Sequence, residues 1–263
     1  SALEGAPPQT VTVRSDSVLT RNEHGLVPVQ INGEPINVIV DTGANLSVLP
    51  ESQAKRLKLD VIDADISVRS ISGRVVQAKL AVVALIALDS AIVENAVFLV
   101  FDDNDLHIQG APFQIEGLIG YPVIAALREV SFLRNGEISI PAEPTADTAP
   151  NLCFEGMSPW LLGEYEGTHL TFSLDSGADS SDFYPLFYRQ FRERIEKQFQ
   201  KTLVSVHGVG GETKGEAYTA DRMEIEVANR SIRLENIPIF VDSDAPGSQF
   251  CYGNLGQDVL RQF

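Results

Sequence analysis

The chain has 263 residues, 44% hydrophobic and 21% charged, an ordinary globular composition with room for one large domain or two small ones. A formal net charge of −16 repels nucleic-acid phosphates and anionic lipid, so neither is expected as a partner, and the acidity reads as a solvating surface. No apolar run reaches the roughly 18–20 residues of a membrane span, and the scattered four histidines and two cysteines show no zinc-ligand spacing, so neither metal nor cofactor is expected.

The N-terminal stretch "SALEGAPPQT" has no basic segment followed by an apolar one, so no signal peptide is visible, although a mature chain whose signal was removed would look the same. "LVPVQINGEPINVIVD" predicts two strands around an Asn32-Gly33 turn. Pro50 and Glu51 then open a short helix, "PESQAKRLKL". "ISVRSISGRVVQAKLAVV" alternates apolar and polar around Gly73 and predicts a hairpin. The apolar run Ala78–Phe101 is broken by Asp89 and Ser90 and predicts two strands and a turn. "VIAALREV" reads as a short helix, and "SFLRNGEISI" as a strand pair.

The stretch Ile140–Asn151, rich in Pro, Ala and Thr, reads as a linker, and the pattern then repeats. "GEYEGTHLTFSLD" is a second hairpin leading to an acid, with its turn at Glu166-Gly167. "PLFYRQFRERIEKQF" is a longer helix whose Phe187, Phe191, Ile195 and Phe199 recur at helical spacing, as a core-facing stripe does. A glycine-rich hairpin, "TLVSVHGVGGETKGEAY", follows, and then two strands around Asn229-Arg230. The expected division is therefore residues 1–142, a linker at 143–151, and residues 152–263. The expected class is all-β, with two pseudo-symmetric barrel lobes and a few short helices. Cys153 and Cys251 can form one bridge in an oxidising compartment or remain as two reduced, partly buried thiols.

The repeat has a chemical meaning. "INVIVDTGANLSVLP" carries Asp41 to the end of an apolar strand, and "LTFSLDSGADSSDFYP" does the same with Asp175. One Asp-Thr-Gly triplet is an ordinary turn; two, each after an apolar strand, are not explained that way. Two carboxylates facing each other across one water cannot both ionise, so they share a proton and titrate as a pair. The ionised acid takes a proton from the water, and the protonated one stabilises the oxyanion formed at a peptide carbonyl. Gly43 and Gly177 let backbone amides point at the acids, and the Thr42 and Ser176 hydroxyls can hold them in position.

The sequence resembles the retropepsin-like aspartic proteases. Asp41, Thr42, Gly43, Ala44, Ser47, Val48 and Leu49 follow that family's motif, and so do Asp175, Ser176, Gly177, Ala178 and Ser181. Asp182 departs from it, standing where an apolar residue is usual. "GLIG" and "GNLG", each followed by a helix, resemble the family's second element, which packs under the catalytic loop. The resemblance covers about Val27 to Phe263. Both triplets lie in one chain, so it implies a fused, single-chain enzyme similar to bacterial aspartyl proteases. The implied activity is that of an aspartic endopeptidase on extended polypeptide, with Asp41 and Asp175 as catalytic acids; the alternative is an inactive peptide-binding module of the same fold. A monomer is expected. A periplasmic or secreted location is favoured, with the cytoplasm as the alternative. The resemblance also implies flaps that close over substrate, at Ser72 and Gly73 and at Gly208, Gly210 and Gly211. The first half ends in a strand pair for which the second half shows no match; that strand lies further along the chain, has been cut off, or is replaced by "QTVTVR".

Overall fold

The computed structural model describes residues 6–69, 74–107, 113–145, 151–208, 211–245 and 247–263. It divides into two compact units, Ser1–Val68 with Val75–Thr148, and Arg69–Arg74 with Ala149–Phe263.

The first unit begins with β1 (Thr10–Val13) and β2 (Ser17–Thr20). The predicted hairpin forms β3 (Val27–Ile31) and β4 (Glu34–Val40), its turn held by left-handed Asn32 and Gly33. After β5 (Ser47–Pro50) comes helix α1 (Glu51–Arg56), shorter than its predicted span because Lys58 turns left-handed and ends it. β6 (Val61–Arg69), β7 (Val75–Leu88) and β8 (Ala91–Phe101) follow, the last two joined at Asp89-Ser90. A single 3-10 turn, Asp103–Leu106, precedes β9 (Leu118–Ile119). Helix α2 (Tyr121–Ala126) starts two residues before its predicted position, with Pro122 in its first turn, and left-handed Arg128 closes it. β10 (Ser131–Phe132) and β11 (Glu137–Ile140) complete the unit.

The second unit holds β12 (Leu152–Glu155), β13 (Ser158–Tyr165), β14 (Thr168–Leu174), β15 (Asp182–Phe183), helix α3 (Pro185–Gln198), β16 (Gln200–Gly208), β17 (Gly211–Val227), β18 (Arg230–Phe240), β19 (Gly253–Leu255) and helix α4 (Gln257–Leu260).

Each unit closes a ring of six strands. In the first the order is β8-β5-β9-β4-β3-β7, with β7 returning to β8. In the second it is β18-β15-β19-β14-β13-β17, with β17 returning to β18. The sense of pairing repeats as well. The acid-bearing strand is parallel to the short strand under it (β4 with β9, β14 with β19), and the strand after the loop is antiparallel to that short strand. The protein is therefore all-β, with two barrel-like lobes of one topology. Closure leaves few free edges, and alternating burial along long strands such as β3 and β7 fills the interior with apolar side chains.

Val27, Ile31, Val38, Leu49, Ile86 and Phe98 fill the first interior. Phe172, Phe183, Phe187, Ile225, Ile239 and Leu255 fill the second. The aromatic stripe of α3 faces that core: Phe187 and Ile195 are buried, and Phe191 and Phe199 pack against the cluster. Ring centroids of Phe183 and Phe187 lie 4.4 Å apart, and those of Phe187 and Phe191 4.7 Å. The stripe is core packing.

Two alternatives left open by the sequence are decided. The N-terminal strand stays with its own unit: β1 pairs antiparallel with β8, from Thr10 opposite Glu94 to Val13 opposite Ala91. The cysteines form no bridge. Cys153 Sγ lies 3.6 Å from the Trp160 carbonyl on the edge hairpin β12–β13, and buried Cys251 Sγ lies 3.4 Å from that of Gly247. Burial pushes the Cys251 thiol up to about 11, so it remains a neutral, poorly nucleophilic thiol.

Candidate active site

Asp41 and Asp175 each sit one residue beyond the end of a buried strand, β4 and β14. The strand alternation that buries Val38 and Val40 delivers the acid to the barrel rim. There the backbone of each acid is tied to the short parallel strand. Asp41 N–H donates to the Ile119 carbonyl and Asp175 N–H to that of Leu255, both at 2.9 Å.

Each loop then folds back on its own carboxylate. Gly43 N–H donates to Asp41 Oδ1 at 2.8 Å, and Gly177 N–H to Asp175 Oδ1 at 2.9 Å. Ala178 N–H adds a further bond to Asp175 Oδ1 at 3.0 Å. The carbonyl of Ala44 accepts from Tyr121 N–H at 2.8 Å, and that of Ala178 from Gln257 N–H at 2.9 Å. The Thr42 and Ser176 hydroxyl-bearing residues are buried in their loops.

A serine three residues beyond each alanine completes the frame. Ser47 Oγ accepts from Gly120 N–H, and Ser181 Oγ from Gly256 N–H, both at 3.0 Å. These glycines leave no room for a side chain. A Cβ at Gly120 would stand 2.6 Å from the Leu46 carbonyl, and one at Gly256 2.7 Å from that of Ala178. The "GLIG" and "GNLG" segments are therefore the seats of the two acid loops.

Residues 27–123, most of the first unit, match the family model described as "Aspartyl protease". The chain resembles the retropepsin-like aspartic proteases. Among solved structures, a retropepsin-like aspartic protease from Rickettsia conorii aligns with 16% identity and a TM-score of 0.32, over 51% of this chain and 92% of that one. No curated protein sequence matches.

The same frame is kept in both units, but what lies behind it differs. In the second unit Asn254 Nδ2 donates to Asp175 Oδ2 at 3.0 Å, and Ser173 Oγ donates to Asn254 Oδ1 at 2.6 Å. Ser181 Oγ also donates to Asp258 Oδ1 at 2.7 Å, and Gln257 Nε2 donates to the Ser176 carbonyl at 2.6 Å. Asp182 is part-exposed as a residue, yet its Oδ1 is sealed from solvent without a hydrogen-bond partner. Burial, reinforced by the charges of Asp175 and Asp258, raises its carboxyl to about 7. Burial also raises the neighbouring Tyr184 phenol well above its ordinary value, with the charge of Asp182 adding to the effect. Where the second unit has Ser173, Asn254 and Asp182, the first has Ile39, Leu118 and Val48 on its corresponding strands.

Sequence reading singled out Asp182 but not Ser173, Asn254, Gln257 or Asp258. The available signal was a residue-by-residue comparison of the two halves, in which polar residues replace an apolar seat. Of the flap residues, Gly208 and left-handed Gly211 pair across the end of the long β16–β17 hairpin. Ser72, Gly73 and Gly210 lie outside the described residues. Among the described residues no cluster of three His, Cys, Asp or Glu forms a metal site, and no helix is long and apolar enough to cross a membrane.

Proposed function

We propose that the protein is an aspartic endopeptidase in which Asp41 and Asp175 act as one dyad. The observation that carries this reading is the doubled frame: acid, glycine amide, alanine carbonyl and serine hydroxyl recur in both units with the same hydrogen bonds. A turn motif of purely structural use has no reason to be kept twice with each carboxylate at a barrel rim. The aspartyl protease match over residues 27–123 supports the same reading.

In this mechanism one carboxylate is ionised and removes a proton from the attacking water. The other is protonated and donates to the substrate carbonyl as its oxygen becomes negative. The proton then passes to the leaving amine, and the dyad returns to its starting state. The long β16–β17 hairpin, Gly208 and Gly211 at its end, is a candidate to cover an extended peptide and exclude water. Both acids come from one chain, so the active form is a monomer.

Incubation with unfolded protein across pH 3–7 tests this. Cleavage with a bell-shaped pH profile, inhibited by a pepstatin-like transition-state analogue, is expected. Asp41→Asn and Asp175→Asn should each lower the rate by about 10²–10⁴-fold. Full activity in either variant would refute the dyad. Saturable peptide binding without cleavage by the native chain would identify a peptide-binding module instead.

A further inference from the structure

We propose that Asn254, braced by Ser173, is a positioning residue for the Asp175 carboxylate. This rests on the endopeptidase reading for its kinetic consequence, though not for its geometry.

Ser173 and Asp175 are two apart, and side chains two apart along a strand share a face. β14 runs parallel to β19 with Ser173 opposite Asn254. This register places one short amide between a hydroxyl and an acid. Ser173 Oγ meets Asn254 Oδ1 at 2.6 Å and the Gly253 carbonyl at 3.2 Å. Asn254 turns its NH2 group to Asp175 Oδ2 and its oxygen to the Ser173 hydroxyl, so each end of the amide meets a group of matching donor or acceptor character. The three side chains thus form one hydrogen-bonded relay from Ser173 through Asn254 to Asp175.

Asn254 is only 4% exposed, so water competes weakly for its hydrogens. A buried amide is tolerated only where it is hydrogen-bonded, as it is here at both ends, whereas apolar Leu118 occupies the corresponding position of the first unit. The amide is not there to satisfy Asp182. That residue is its register partner on β15, yet Asp182 Oδ1 has no partner while Asn254 Nδ2 turns to Asp175. Its donor is spent on the candidate catalytic acid. With the loop amides on Oδ1 and Asn254 on Oδ2, the Asp175 carboxylate is held at both edges. A catalytic acid tolerates little rotation, because misplacement by about 1 Å can cost on the order of 10²-fold in rate.

The test uses Asn254→Leu, which installs the side chain of the first unit, and Ser173→Ala, a smaller change that removes only the brace. Steady-state peptide cleavage should show kcat reduced about 10–100-fold in Asn254→Leu and less in Ser173→Ala, with KM within about twofold of the native value. A crystal structure of Asn254→Leu should show the Asp175 carboxylate rotated or split between two orientations. Unchanged kcat, or a rise in KM alone, would overturn the proposal even if thermal stability falls. If the native chain folds but cleaves no peptide, the endopeptidase reading fails, and carboxylate orientation then decides the role of Asn254. A rotated carboxylate upholds that role, and an unmoved one overturns it. If Asn254→Leu does not fold, the same measurements on Ser173→Ala decide.

Discussion

The Gly256 amide donates to the Ser181 hydroxyl at 3.0 Å, and that hydroxyl in turn donates to Asp258 at 2.7 Å. Ser181 is fully buried. One side chain therefore ties the seat of the second acid loop to helix α4. Ser47 accepts the same bond from Gly120, but Pro122 stands in the first turn of α2 where α4 has Asp258.

Removing these hydroxyls should expose that difference. Ser47→Ala leaves a buried amide unpaired and should cost about 1–3 kcal/mol. Ser181→Ala orphans an amide and also removes a donor from Asp258, so its cost should be larger. Urea unfolding followed by hydrogen exchange at Gly120 and Gly256 measures each unit separately, as a chain with two units requires. Equal losses would show that the Ser181–Asp258 bond contributes nothing.

Gly120→Ala and Gly256→Ala should be among the most damaging small substitutions in the chain. In each case the new methyl meets backbone, at 2.6 Å in the first unit and 2.7 Å in the second, so no side chain can move aside. A loss of about 3 kcal/mol or more is expected, with misplacement of the neighbouring acid loop. A variant with native melting temperature and native cleavage rate would contradict the seat argument.

Asp182 should make stability pH-dependent in a defined direction. Its carboxyl is raised to about 7 in the fold, by burial first and then by the charges of Asp175 and Asp258, from an ordinary 3.8. The native state therefore holds this proton more tightly than the unfolded chain does. Its contribution is fully present below about pH 4 and is lost as pH rises through 7, by on the order of 4 kcal/mol. Asp182→Asn removes the titration. The melting temperature of the variant relative to the native chain should rise between pH 4.5 and pH 8. A constant difference across that range would show that the acid is not held protonated.

Phe187→Ala should destabilise the second unit by about 3–5 kcal/mol. The ring is fully buried and lies within 4.4–5.2 Å, centroid to centroid, of Phe183, Phe191 and Tyr165. Differential scanning calorimetry should show one transition lowered and the other retained. Equal lowering of both transitions would mean that the two units do not unfold separately.

Local chemistry made much of this protein legible in its sequence. Asn32-Gly33 and Glu166-Gly167 predicted turns because two-residue hairpins require left-handed backbone, and Asn32, Gly33, Glu166 and Gly167 all adopt it. The period of Phe187, Phe191 and Ile195 predicted the core face of α3 because helix geometry alone sets that spacing. The paired triplets were legible because one loop chemistry is written twice. Tertiary structure decided the rest. Short strands such as β5, β9, β15 and β19 have too few residues to show a period, and they exist because neighbouring strands supply their hydrogen bonds. The pairing of β1 with β8 joins segments distant in the sequence, on the edge of β8 that faces away from β7. The contact of Asn254 with Asp175 joins residues on opposite ends of the unit's chain through the register of β14 and β19. Sequence by itself determined which residues carry the acids and the turns; the closed sheet alone determined which polar groups stand behind each acid, because hydrogen-bond register is a property of paired strands and not of either strand by itself.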